Sequence, residues 1–263
     1  MRAIIVGIIT AAVAVAILYP LTPRGGVLPG PYYLAVRVDL PEARYFAELP
    51  AAPVLVLSEE GVFFDGEYIL PLDEANLDTD WCNQKFRRLS RERGGREEAP
   101  RDPSAPAVKY LEIIIQADEG VKFKALKWAI WNSATNGFAK PYLAARDPES
   151  NYVKGAPIIV PWFTYFRYDD LLILSVLVEE EGFWVSAPPA IRPFAHKKGN
   201  EYDYCFLEAT LKDVKKNYGW RCNNVCLDVE NEVVYGDVIR FLDLIIGSGF
   251  EARDISLAGT IEK

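Results

Sequence analysis

The sequence predicts an α+β protein: an N-terminal membrane helix followed by two tandem small α/β sandwiches, each hairpin-helix-strand-helix-strand with helices on one face of a sheet. Three observations predict it. The stretch from Leu111 to Ala145 returns between Asn223 and Ala258 without a gap, Ile113 falling on Val225, Phe123 on Tyr235, Leu126 on Val238 and Gly137 on Gly249, each 112 positions on. Self-similarity at a fixed offset is the signature of a duplicated unit. Hydrophobic residues alternate in some segments and recur at helical spacing in others, the pattern of strands and amphipathic helices in turn. Ahead of both copies lies an uncharged run, Ala3 to Tyr19.

With 263 residues, half of them apolar, the chain can bury two cores of ordinary domain size. The organisation read from these features is an anchor over 1–22, a first module over 23–146 and a second over 147–263.

The apolar run is preceded only by Met1 and Arg2 and closed by Pro20. Seventeen helical residues reach about 26 Å, the short end of what spans a bilayer core of about 30 Å. The longer-than-usual apolar centre and the lack of a good A-x-A site in the following LYPLTPRGG favour an uncleaved anchor over a cleaved signal peptide. Residues 20–31, with four prolines and three glycines, read as a linker. Leu34, Val36, Val38 and Leu40 then alternate with smaller or polar residues as a half-buried strand that Pro41 ends.

PVLVLS (53–58) and GVFFDG (61–66) flank Glu59-Glu60 and read as a hairpin, with Gly61 in the left-handed conformation. LLILSVLV, EEEG and FWVSA repeat the device, Gly182 matching Gly61. Leu72 to Glu92 suits a helix containing Asp80-Trp81-Cys82, echoed by Asp203-Tyr204-Cys205 ahead of the helical LEATLKDVKKNYG. The Pro-, Gly- and charge-rich GGREEAPRDPSAPA reads as an exposed loop.

Leu111 to Ile115 forms a central strand. Phe123, Leu126, Ile130 and Ala134 follow as the inner face of a helix whose Lys122, Lys124 and Lys127 turn to solvent, and Gly137 and Gly249 stop the paired helices in the left-handed region. The apolar PIIVPWFTYF between the modules either opens the second one or packs in the seam. Asp118 and its counterpart Glu230 each follow a strand and precede a helix, where a carboxylate favours the helix N-terminus, so the pair reads as structural.

The chemistry-bearing residues are sparse. A net charge of −8 argues against a nucleic-acid surface, which needs clustered Lys and Arg. The single histidine, His196, sits beside two lysines and a glycine in a loop-like run with no partner nearby in sequence, and reads as solvated. Cys82, Cys205, Cys222 and Cys226 lack zinc spacing; buried thiols and, in an exported chain, disulfides both remain open readings. No catalytic, cofactor-binding or metal-ligating residue is assigned, and no cofactor.

Val38-Asp39-Leu40-Pro41, the hairpin from Pro53 to Gly66, and Gln116-Ala117-Asp118-Glu119-Gly120-Val121-Lys122-Phe123 through Gly137-Phe138 together resemble the ExbD/TolR family of biopolymer transport proteins. The match covers the first module and, more loosely, the second, where Asp228 to Phe250 is its nearest part. The resemblance implies a non-enzymatic bacterial inner-membrane protein with one span, a cytoplasmic N-terminus and a periplasmic bulk. It further implies a polytopic ExbB/TolQ-like partner, and a homodimer or a TonB/TolA-like partner outside the membrane. Such complexes are driven by the proton-motive force through a carboxylate in the span. Here the corresponding region is Val6-Gly7 and the only polar side chain in the run is Thr10. The expectation is a structural or regulatory component. The alternative is an exported periplasmic binding module with a cleaved signal peptide and no motor role.

Overall fold

Strand alternation and turn chemistry set the first hairpin in the computed structural model of the chain, which describes residues 38–75, 83–93, 111–160, 174–187, 190–191, 194–218 and 224–259. The apolar run Ala3–Tyr19, the strand expected before Val38, Cys82, Cys222, the charged loop after Arg93 and residues 161–173 lie outside the described residues. Among the described residues no helix is long and apolar enough to cross a membrane.

Strands β1 (Val54–Ser58) and β2 (Gly61–Phe64) pair antiparallel around Glu59-Glu60, with Gly61 at φ 130°. That conformation suits a residue without Cβ, and a methyl there would also lie 2.8 Å from the Leu70 carbonyl. Asp65 (φ 48°) and Gly66 (φ 84°) then make a two-residue turn of the left-handed kind that matches strand twist, leading into β3 (Glu67–Leu70). The helix expected over 72–92 is described as one turn, α1 (Leu72–Ala75), and as α2 (Gln84–Glu92), whose N-cap Asn83 accepts from the amides of Lys85 and Phe86. Next come β4 (Glu112–Ala117), α3 (Phe123–Thr135), β5 (Lys140–Arg146) and β6 (Val153–Pro157).

The second half runs β7 (Leu174–Glu179), β8 (Gly182–Ala187), the short β9 (Ala190–Ile191) and β10 (Ala195–His196), α4 (Tyr204–Tyr218), β11 (Val225–Val229), α5 (Tyr235–Gly247) and β12 (Ile255–Gly259). One sheet has the order β3-β2-β1-β4-β5-β6 and the other β10-β8-β7-β11-β12, with β9 on β8. The protein is therefore α+β with two sheets. Within them β2-β1-β4-β5 and β8-β7-β11-β12 are the same arrangement: one antiparallel hairpin, then two parallel steps. β6 falls beyond residue 146 yet belongs to the first sheet, because its Gly155 and Ala156 pair with Ala144 and Leu143.

One apolar core runs through both halves, joining Leu55, Ile113, Ile115 and Leu126 of the first to Val176, Leu227, Val238 and Leu242 of the second. Burying each such side chain stabilises the fold by about 1.5–3 kcal/mol. The opposite face of the first sheet, Val54, Val56, Ile114 and Ala144, is covered by Val38, Leu49 and Ala52 from a strap that precedes β1. Helix α3 is less amphipathic than its sequence suggests. Trp128, Asn132 and Ser133 are buried too, and Asn132 is satisfied by the Asn83 amide and the Trp128 carbonyl.

The two halves meet about an internal two-fold axis that passes between equivalent residues. Phe123 N–H donates to Val233 C=O and Tyr235 N–H to Val121 C=O, both at 2.7 Å; Lys124 N–H donates to Asn231 C=O at 3.1 Å and Gly236 N–H to Glu119 C=O at 2.9 Å. Each bond maps onto its mate by the 112-residue offset, and Lys122 lies directly opposite its counterpart Val234 in an antiparallel bridge. These bonds satisfy helix-terminal amides that neither N-cap side chain reaches, Lys122 and Val234 both being extended and making no side-chain cap. Pro157 to Val160 packs in the seam, as one reading of the apolar connector has it. Pro157 pairs with Tyr142 of β5, Ile159 bridges Ser256 of β12, and Ile158 and Val160 are buried between the halves. The rest of that connector lies outside the described residues.

Gly137 and Gly249 both take φ 93° and end α3 and α5. Phe138 and Phe250 donate back to Ser133 and Ile245, the bond that closes such a helix end. Gly182 has no positive φ. Its constraint is space, since a Cβ there would lie 2.3 Å from the Ala195 carbonyl.

Candidate functional site

The strap that covers the first sheet also crosses to the second half, and the two together wall a groove. Going along it, Asp39 N–H donates to Asp118 Oδ1 at 2.6 Å, Ala43 N–H and Pro41 C=O bond the backbone of Arg146, and Ala47 pairs with Gly155 in both directions. Between these stations Arg44 and Tyr45 both donate their amides to Asp243 Oδ1 on α5, at 2.9 and 2.8 Å. Tyr45 lies so close over Gly247 that a Cβ there would sit 2.4 Å from its ring.

The groove holds about 860 Å³ and is lined by the strap at Pro41 and Tyr45, the turn at Glu119, the axis residue Val234, and Arg240 and Leu244 of α5. Its charges come in opposed pairs. Arg146 lies 3.3 Å from Glu42 and Lys212 lies 2.6 Å from Glu208. The Arg240 guanidinium stacks 4.2 Å from the centre of the Tyr204 ring, whose hydroxyl donates to Asp237 Oδ1 at 2.6 Å. Burial and the Asp237 carboxylate push the Tyr204 hydroxyl well above the usual phenol range, so it stays a donor. Burial also raises the Asp243 carboxyl, against the pull of the two strap amides and of Arg44 and Arg240.

The groove's lining intersperses acids and bases with Leu40, Pro41, Val234 and Leu244, and its described residues include no Ser, Thr, Cys or His. With acids and bases nearly balanced, the lining presents no concentrated positive field to a polyanion.

Asp118 and Glu230 do not serve helix N-termini. Asp118 accepts from Asp39 through Oδ1 and from the Glu59 amide through Oδ2 at 3.2 Å, while Glu230 accepts from the Glu180 amide at 2.9 Å. Each carboxylate ties the end of a central strand to the turn of its own hairpin. The helix ends that it was expected to favour are satisfied instead by the other half's backbone. Burial raises the Asp118 carboxyl above the ordinary range, against the hydrogen bonds from the Asp39 and Glu59 amides, while the charges of those two residues add to the rise.

His196 is exposed, but it belongs to β10 rather than to a loop, with its ring edge-on to Phe194 at 4.6 Å. A shallow depression of about 540 Å³ beside it is lined by Glu180, Glu181 and Lys197. Cys205 is exposed and Cys226 half-buried, both as free thiols, and burial pushes Cys226 up. Among the described residues no group of three or more His, Cys, Asp or Glu could hold a metal ion.

The sequence flagged Asp118, Glu230, Tyr204 and the seam segment. It missed Asp243, whose donors are backbone amides about two hundred residues away, and the Tyr204–Asp237–Arg240 cluster. The spacing of Asp237 and Arg240 on one helix face was a usable signal for that cluster. Compared with family models, curated proteins and solved structures, the chain gives no match to any of them.

Proposed function

We propose that the chain is a non-enzymatic component of a bacterial envelope complex of the ExbD/TolR type, anchored in the inner membrane through residues 1–22 with its two modules in the periplasm. The observation that carries this reading is the duplicated unit: hairpin, helix, strand, helix, strand, with the family-like motifs on the hairpin turn, the Asp118 strand end and the Gly137-Phe138 helix stop. The modules pair through equivalent residues, which suits a scaffold that works by presenting surfaces. The partner in the membrane is an ExbB/TolQ-like polytopic protein, and the groove is the place for a TonB/TolA-like polypeptide. Because the apolar run lacks a carboxylate, the chain acts in such a complex as a structural or regulatory member rather than as a proton carrier.

The groove also favours a second reading, an exported binding module with a cleaved signal peptide and no motor role. Fractionation separates the two. For the anchored protein, the full-length chain stays with membranes through an alkaline wash, is degraded by protease added to spheroplasts, and co-purifies in detergent with a polytopic neighbour. Release of a chain shortened at its N-terminus into the periplasmic extract overturns the anchored reading and leaves the second.

A further inference from the structure

We infer that the seam accepts only a first module against a second, so that one chain closes it alone and a second copy of the chain cannot pair through it. The interface has the two-fold symmetry of a homodimer, but three of its features occur once.

The first is the extended segment Pro157–Val160, which runs on from the end of β6. It fills the space between β5 and β12, taking Pro141 C=O on one side through Ile158 N–H at 3.0 Å. On the other side Ile159 bonds both Ile255 C=O and Leu257 N–H, at 2.9 and 3.2 Å. Ile158 and Val160 are 5% and 2% exposed, so the segment is part of the core and not a lining. Counted with the first sheet, to which β6 belongs, two first modules would bring two such segments to one slot.

The second is the residue on the axis. Lys122 faces Val234 and turns its ammonium to Glu232. By the 112-residue offset the first module has Gly120 where the second has Glu232. A pair of first modules would therefore set Lys122 against Lys122 with glycine where Glu232 stands, and like charges directly opposite one another in a strand pair are destabilising. A pair of second modules would strand both Glu232 side chains.

The third is Tyr235. Its hydroxyl donates to Ala144 C=O of the first module at 2.7 Å, a bond that the counterpart Phe123 cannot make. Homotypic contact is thus opposed by shape, by charge and by hydrogen bonding.

Position 122 faces position 234 in an antiparallel pair that exchanges no direct hydrogen bonds, the closer kind, suited to a disulfide. The full chain carrying both Lys122→Cys and Val234→Cys is expected to form that link within one polypeptide on mild oxidation, read as a one-chain mass with a 122–234 cross-linked peptide. Lys122→Cys alone and Val234→Cys alone are expected to give no 122–122 or 234–234 peptide, with mapping separating these from links to the native cysteines. Covalent dimers through 122–122 or 234–234, or absence of the intrachain link in the double variant, overturn the inference. A charge exchange covers the case in which a cysteine variant misfolds. Lys122→Glu lowers the urea midpoint of the full chain and adding Glu232→Lys restores it; failure of the second change to restore removes the axis pair as a selector.

Discussion

The hydroxyl of Tyr235, the first residue of α5, donates to the carbonyl of Ala144 on β5 at 2.7 Å, and its ring is wholly buried. One side chain thus reaches from the second half into the end of the first half's sheet, where the Ile115 carbonyl also lies 3.5 Å away. Tyr235→Phe keeps the ring, and the counterpart Phe123 shows that a phenyl group suits the position. The variant therefore isolates the hydroxyl. Leaving a buried carbonyl without this donor costs about 1–2 kcal/mol, read as a lower urea midpoint with unchanged slope. Since one core spans both halves, unfolding followed by fluorescence and by circular dichroism should coincide in both proteins. A midpoint equal to wild type would show that water replaces the hydroxyl without loss.

Two glycines that both exclude a Cβ should respond in opposite ways to alanine. At Gly182 the added methyl meets the Ala195 carbonyl at 2.3 Å and the Phe194 ring at 2.6 Å. A paired backbone carbonyl cannot swing aside, so Gly182→Ala costs about 1–3 kcal/mol through strain in the β8–β10 pairing. At Gly247 the obstacle is the ring of Tyr45, which is 56% exposed and free to rotate outward. Gly247 is the last residue of α5, and alanine there gains up to about 0.5–1 kcal/mol of helix propensity. Thermal unfolding should therefore move down for Gly182→Ala and stay level or rise for Gly247→Ala. A drop of similar size in both would mean that Tyr45 is held more firmly than its exposure indicates.

Local pattern made the repeated unit legible. Alternation in PVLVLS and GVFFDG, helical spacing from Phe123 to Ala134, and left-handed glycines at 137 and 249 are enforced by neighbours a few residues away, so sequence carries them. The ungapped 112-residue offset also turns out to index the two-fold contact, since residues that pair across the axis are those that align. What stayed hidden depends on distant backbone. The amides of Arg44 and Tyr45 carry no side-chain signature that could point to Asp243. Sequence distance assigns Asp118 to a helix because the helix start and the hairpin turn lie at the same end of β4 and the helix is the nearer in sequence. Only the fold shows that the helix start is already capped across the seam, leaving the carboxylate to the hairpin. β10 has two residues, too few to show a period, and β6 reads VKGAP, with no alternation of apolar and polar side chains.

Stability should peak in mild acid. Burial raises the carboxyls of Asp118, Asp228 and Asp243, so the folded chain holds these protons more tightly than the unfolded chain does. Their contribution is fully present below the unfolded value of about 4 and is lost as pH rises through the raised folded values. Asp147, beside Lys154 and the amides of Glu149 and Ser150, and Asp203, beside Lys198 and the Phe206 amide, are held below the ordinary range. Their contribution is present above about 4 and is lost as pH falls through the depressed values. Urea midpoints should therefore rise from neutral pH toward about 5 and fall again below about 4. Asp228→Asn, which removes one raised carboxyl with an unpartnered Oδ1, should flatten the upper slope. A profile that falls steadily from pH 7 would show that the ion-paired aspartates dominate throughout.

The contact of Asp243 with the strap separates acceptor from charge. Both strap amides converge on Oδ1 alone, and an asparagine side chain retains an oxygen at that position, so Asp243→Asn should keep the strap in place. Asp243→Ala removes the acceptor. Because the two amides are at the exposed side of the contact and can turn to water, the global loss is small, about 0.5–1.5 kcal/mol. The local loss is larger, because the flanking stations at Arg146 and Gly155 hold the strap only on either side of the gap. Hydrogen exchange at Arg44 and Tyr45 should accelerate in Asp243→Ala while the amides of Ala43 and Ala47 change less, and Asp243→Asn should follow wild type. Equal acceleration in both variants would mean that the charge holds the strap, through Arg44 and Arg240, and that the two amide bonds are incidental to it.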